Sequence, residues 1–227
     1  MFTLAEENYL KAIYHLEKDG NTGVSTNSIA IKLDMQPSSV TDMVQKLALK
    51  KALSYQKYKG SSLTKKGKLI AASIIRKHRL WEVFLVEKLN FQWDEVHVIA
   101  EQLEHIKSDE LIKRLDTYLD HPDFDPHGDP IPDINGIIKP TEKKLLLELE
   151  KNQRGICVGV KESSKHFLQY LDTRNIGIGT TIKVINKEDF VNYQPQCDEI
   201  NNTNNKIKKM ERDISKIKII EHLENNF

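Results

Sequence analysis

The 227-residue sequence predicts a mainly α-helical protein with small β parts, and three observations carry that prediction. Apolar residues recur at helical spacing through most of the first 120 positions. Glycine-bearing turns flanked by alternating residues interrupt them near 53–64 and again beyond 155. Charge, only +1 overall, is strongly segregated: residues 1–75 carry +5, residues 76–135 carry −7 with five of the eight histidines, and the remainder carries +3. An apolar fraction of 39% with 30% charged residues suits a folded, soluble chain. No apolar run approaches the roughly 20 residues of a membrane span. The acidic N-terminus lacks the basic and apolar regions of a signal peptide. Cys157 and Cys197 are too few and too far apart for a disulfide framework or a Cys-x-x-Cys site. Secreted, membrane and zinc-ribbon classes are disfavoured, and a cytoplasmic protein is expected.

The basic head comes first. Leu4, Tyr9, Leu10, Ile13, Tyr14 and Leu16 make residues 3–18 an amphipathic helix, ended by Gly20 and Gly23. Ser25 is the expected N-cap of a second helix whose apolar face is Ile29, Ala30 and Leu33. After a break at 34–36, Pro37 suits the first turn of a third helix through Val40, Met43, Val44 and Leu47. Helix, tight turn and polar second helix make a helix-turn-helix pattern. Residues 53–58 and 62–64 flank a turn containing Gly60, which adds a β-hairpin and makes the head winged. Lysines on that hairpin, Lys57 and Lys59 among them, suit DNA phosphates, whose neutralisation supplies affinity without sequence choice. Base choice then falls to Gln36, Ser38, Ser39, Thr41, Asp42 and Gln45, with Pro37 and Lys46 completing the expected surface.

The acidic middle follows. Residues 65–90, 94–106 and 108–119 read as three helices, the last capped by Ser108. The first carries more apolar positions than one small domain needs, which predicts a homodimer interface and therefore a palindromic DNA target. His78 and Glu82 stand one turn apart. His97, Glu101, Glu104 and His105 share one face of the next helix. Three facing carboxylates repel one another unless a cation joins them, and carboxylate plus imidazole without thiolate suits Mn(II), Fe(II) or a similar first-row ion. Catalytic patterns are missing. Glu101 is followed three residues later by Glu104 rather than histidine, and neither a His-Glu-x-x-His motif, a phosphate loop nor a nucleophile elbow occurs. An enzyme and a small-molecule substrate are not expected.

The strings Arg76 to Glu82, Glu95-Val96-His97, Glu101 to His105, Pro37 to Thr41 and Pro126 to Pro132 together resemble the diphtheria toxin repressor family of metal-dependent regulators. The resemblance covers residues 3–140. It implies a winged-helix dimer in which bound Fe(II) or Mn(II) permits operator binding and shuts off metal-uptake genes, with other divalent first-row ions able to substitute. It assigns Glu101, Glu104 and His105 to a primary metal site and His78, Glu82 and His97 to an ancillary one. Asn8 occupies the first-helix ligand position, where iron-type members carry methionine and manganese-type members aspartate. Glu101 replaces the cysteine of iron-type members, and Lys11 stands where manganese-type members can offer a second acid.

The resemblance reads 121–132, despite its His and Asp residues, as a proline-held extended connector. The tail is expected to hold a short helix at 140–151, strands near 155–160, 180–185 and 216–220, and a helical turn or two at 166–171, with an Asn-rich turn at 201–205. An SH3-like (FeoA-like) small β-barrel is implied, lending Glu162 and His166 to the ancillary site. Domains are expected at 1–73, 74–139 and 140–227. In the mechanism this implies, the carboxylate face repels itself until metal fixes the first helix against the helices carrying the ligands. The alternative is a metal-buffering protein that binds DNA only nonspecifically.

Overall fold

The computed structural model describes residues 2–17, 23–56, 59–139, 143–184 and 217–221. Lys57, Cys197 and the Asn-rich turn lie outside that set. The described residues fall into two compact units, one formed by 1–84, 98–123 and 130–139, the other by 85–97, 124–129 and 140–227.

The first unit opens with α1 (Leu4–Leu16), α2 (Thr26–Leu33) and α3 (Pro37–Leu49). A capping box starts α1: Thr3 Oγ1 accepts from the Glu6 amide, and Glu6 Oε2 accepts from the Thr3 amide at 2.8 Å. Ser25 caps α2, and Asp34 closes it in the left-handed conformation. Pro37 opens α3, where its missing N–H costs nothing. The three helices bury Leu10, Ile13, Ile29, Val40, Val44 and Leu47 in one core.

Strands β1 (Leu53–Gln56) and β2 (Gly60–Leu63) form the expected antiparallel hairpin, with Leu53 opposite Leu63 and Gln56 opposite Gly60. Val24 pairs with Ser61, which ties β2, near the hairpin's turn, to the segment before α2. Helix α4 (Lys65–Leu89) follows at the expected place. Helix α5 (Val96–Leu103) is shorter than expected: Glu95 N–H closes a turn on Gln92, and a tightened turn, Ile106 N–H to Leu103 O, ends it. Helix α6 (Asp109–Tyr118) is capped by Ser108 as expected. Leu80, Trp81, Val83, Ala100, Ile112 and Leu115 bury their common core. Among the described residues no helix is long and apolar enough to cross a membrane.

The second unit holds an antiparallel sheet in the order β3 (Lys144–Leu145), β6 (Ile217–Glu221), β4 (Arg154–Val160), β5 (Thr181–Lys183). Helix α7 (Lys165–Thr173) buries Phe167, Leu168 and Leu171 in the unit's own core. Two expectations change here. Residues 140–151 are not a helix in their described part. Lys144 and Leu145 pair with Ile219 and Lys218, and only Leu146–Glu148 form a 3-10 turn. A partner more than 70 residues away overrides the helical spacing of the leucines. The connector is also more than extended chain. Asp125 accepts from the His127 and Asp129 amides, and this turn buries His127 stacked on Trp93, its Nε2 donating to Trp93 O. Gly128 lies at φ +78°, and a Cβ there would sit 1.8 Å from Val158 O.

Candidate metal centre

Helix α1 places side chains with opposite destinations at successive positions. Glu6 is fully buried toward the end of α3, where Lys50 Nζ lies 2.8 Å and Lys46 Nζ 3.2 Å from its carboxylate. Burial pushes its pKa up, but Lys50, the Thr3 amide and Lys46 outweigh burial and hold it down at about 2. Glu7 turns the other way, and its Oε2 accepts from His105 Nδ1 at 2.7 Å. One turn further on, Lys11 reaches the same side as Glu7.

Glu104, at the end of α5, is the centre of the cluster and is fully buried. Lys11 Nζ lies 2.7 and 2.8 Å from its two oxygens, and His78 Nδ1 lies 2.6 Å from Oε2. Lys11 also stands 3.4 Å from Glu101 Oε1. His78 continues the chain: its Nε2 meets Glu82 Oε1 at 3.0 Å on the same helix. Both ring nitrogens face carboxylates, which only accept, so the ring is the doubly protonated cation. Burial pulls the His78 pKa down, yet Glu104 and Glu82 prevail and raise it to about 9. Burial likewise raises Glu104, but His78 and Lys11 bring its carboxyl below the ordinary range.

One expectation is overturned. The carboxylates of this face do not repel one another, because the Lys11 ammonium lies against Glu104 and near Glu101 and supplies the missing positive charge. Helix α1 is accordingly fixed by Lys11–Glu104 and Glu7–His105. Spacing along α5 shows the acids but not a lysine 93 residues earlier in the chain.

Two family models match consecutive stretches of the sequence. The iron dependent repressor N-terminal DNA binding domain matches residues 1–61, and the iron dependent repressor metal binding and dimerisation domain matches 64–133. The HTH-type transcriptional regulator MntR of Oceanobacillus iheyensis is 36% identical over 152 residues, which cover 66% of this chain and 100% of that protein. This chain belongs to the diphtheria toxin repressor family. Iron-dependent repressor IdeR of Mycobacterium tuberculosis is 36% identical over 128 residues. That alignment covers 56% of this chain and 55% of IdeR, so the chain spans about half the length of its IdeR relatives. A solved manganese-dependent transcriptional repressor, complexed with manganese, superposes over 96% of this chain and 100% of its own with a TM-score of 0.76 at 25% identity. The manganese regulator SloR covers 96% and 98% at 0.66 and 31%. The diphtheria toxin repressor family consists of DNA-binding transcriptional repressors, not enzymes.

For a family member the donor set is chemically apt. Glu7 holds His105 by Nδ1, and the other ring nitrogen, Nε2, lies 3.5 Å from Glu104 Oε1. A carboxylate that fixes one imidazole nitrogen leaves the second oriented as a metal donor. Imidazole and carboxylate donors converging on a buried carboxylate fit a first-row divalent ion. Of the residues expected to bind metal, His78, Glu82, Glu101, Glu104 and His105 therefore belong to one connected cluster, and His78 touches acids of both expected sites. Asn8 is half-buried on α1. His97 is exposed in the first turn of α5 and falls with the second unit, as do Glu162 and His166, where Glu162 accepts from the Ser164 hydroxyl.

On the DNA-binding side, Gln36, Pro37, Ser38, Ser39, Asp42, Gln45 and Lys46 are exposed on or just before α3, as is Lys59 beside the hairpin turn. Thr41 is half-buried, and its hydroxyl donates to Pro37 O at 3.0 Å. Glu6 and Glu7 were not expected to take part. A buried acid in the first turn of an amphipathic helix is the only sequence signal for them, and it reads equally as helix capping.

Proposed function

We propose that this chain is a metal-dependent, DNA-binding transcriptional repressor of metal-uptake genes, with Mn(II) or Fe(II) as co-repressor. The observation that carries the reading is the placement of α1. Glu7 and Lys11 engage His105 and Glu104 on one side, while Glu6 engages Lys46 and Lys50 of the recognition helix on the other. A change at the metal cluster reaches the DNA-reading surface through a single rigid helix.

Glu101, Glu104 and His105, with Asn8 through its amide oxygen, would hold the primary ion. His78, Glu82 and His97 would hold the ancillary one, with Glu162 and His166 as further donors from the tail. The ion supplies fixed positive charge and coordination rather than chemistry. Gln36, Ser38, Ser39, Thr41, Asp42 and Gln45 would read base edges. Pro37 stays at the start of that helix, while Lys46, Lys57 and Lys59 meet phosphates. The chain would act in the cytoplasm as a homodimer on a palindromic operator, in three parts, 1–73, 74–139 and 140–227, the last an SH3-like barrel.

A fluorescence-anisotropy titration of operator DNA with added Mn(II) or Fe(II), and with chelator, tests the reading. Full switching of a two-state equilibrium needs a difference of about 10⁴ in affinity, some 5.5 kcal/mol. Equal binding in metal and in chelator would sink it. A steep salt dependence without operator preference would point instead to a metal buffer that holds DNA nonspecifically.

A further inference from the structure

We propose that Lys11 is a tethered counter-cation that competes with the divalent ion for Glu104 and Glu101, so that metal enters by exchange and Lys11 sets the concentration at which it does. The inference rests on the metal-dependent reading above and concerns how that same cluster is controlled. Both oxygens of Glu104 are engaged: Oε1 by Lys11, Oε2 by Lys11 and His78. No further cation can take a lone pair of this carboxylate in the direction Lys11 occupies without moving the ammonium. Glu101, the second acid expected to bind the ion, is shared with the same ammonium.

A lysine is built for such an exchange. Its charge is a compact point on a flexible stem, and its three donors impose no rigid geometry. The Lys11 side chain is 16% exposed, so the displaced ammonium has a short path to water, whereas Glu104 has none. A side chain held on α1 opposite the acids competes at a high effective concentration, as any tethered ligand does. The exchange raises the charge of the cluster by one unit, since a divalent ion replaces one ammonium that then re-solvates. Lys11 lies on the helix that carries Glu6 and Glu7. The tie between α1 and Glu104 therefore changes from a salt bridge to coordination at the moment the ion binds.

Three full-length proteins test this: the native chain, Lys11→Met, which keeps the length without the charge, and Lys11→Arg, which keeps a cation. Mn(II) affinity is measured by competition with a chromophoric chelator at fixed salt. Lys11→Met is expected to bind Mn(II) about tenfold or more tightly than the native chain, and Lys11→Arg within about threefold of it. A Lys11→Met protein that folds and binds Mn(II) no more tightly than the native chain overturns the proposal. A residue that merely packs α1 would give weaker binding on removal, the opposite sign.

Amine labelling of the native protein needs no variant. Lys11 is expected to be protected in chelator and to become reactive when Mn(II) saturates the protein. Unchanged Lys11 labelling at saturation overturns the exchange. Glu104→Gln separates this failure from that of the underlying reading. If it binds Mn(II) as tightly as the native chain, the ion is not held at this cluster, and the functional reading falls together with the exchange.

Discussion

Glu6 and Glu104 are both fully buried carboxylates, and each is neutralised by lysines that reach it from another helix. Their surroundings separate their roles. Among the described residues, Glu6 is met by ammonium groups and a backbone amide, from Lys46, Lys50 and Thr3. These partners are all donors, which cannot ligate a metal ion, so Glu6 is a brace between α1 and the end of the recognition helix. Glu104 has a lysine too, but also His78, the Nε2 of His105 at 3.5 Å and the nearby acid Glu101. Burial with a cation partner is thus insufficient to mark a metal site; what decides is whether imidazole and carboxylate donors stand beside the carboxylate. Three residues of one helix, Glu6, Glu7 and Lys11, serve the two centres.

The largest effect that would break this comparison is expected at Glu104. Glu104→Gln removes the central anionic donor and is expected to weaken Mn(II) binding by about 100-fold, or roughly 2.8 kcal/mol. Operator binding should then no longer respond to metal. Isothermal titration and anisotropy read the two losses. If Glu6→Gln produced the same loss of metal affinity, the two carboxylates would not differ as described.

For Glu6→Gln the expected cost falls on stability instead, about 1–3 kcal/mol, the range for removing a hydrogen-bonded charge. The figure stays at that level because Lys46 and Lys50, partly exposed, can re-solvate. Urea unfolding measures it, and Mn(II) affinity should stay within about threefold of the native value. The same residue predicts an acid limb. Its carboxyl is depressed to about 2 from an ordinary 4.5, so the folded state binds this proton later than the unfolded chain does. The contribution is complete above pH 4.5 and is lost as pH falls toward 2. Glu6→Gln should flatten that part of the stability profile.

Much of this was legible in the sequence, and for physical reasons. The helix-turn-helix, its hairpin and the caps at Ser25 and Ser108 follow from local periodicity and local hydrogen bonds, which a sequence displays directly. Glu101, Glu104 and His105 share one face for the same reason. What could not be read were pairings across long chain separations. Lys11 meets Glu104 across 93 residues and Glu7 meets His105 across 98. The repulsion expected among the acids followed from counting the carboxylates of α4 and α5 without the lysine of α1. The strand at Lys144 and Leu145 likewise exists only because β6 lies beside it. His127 looked like connector because four prolines flank it, yet an Asx turn at Asp125 buries it.

The finest test of the contrast between the two centres lies at Glu7, the neighbour of Glu6. Its carboxylate never needs to touch the ion; it holds His105 by Nδ1 and leaves Nε2 toward Glu104. Loss of such an orienting partner typically costs between 10-fold and 100-fold in metal affinity. Because His105 is also confined by its position against Glu104, the lower end is expected, about tenfold for Glu7→Ala. Glu7→Gln separates orientation from charge. Its amide oxygen still accepts from Nδ1–H, so affinity should recover most of the way if orientation is the role, and should stay low if the negative charge itself matters. Urea stability read in parallel guards against a packing defect, since a buried acid replaced by alanine also leaves a gap. Recovery in Glu7→Gln, beside a Glu6→Gln that alters stability but not affinity, would confine metal recognition to one side of α1 and bracing to the other.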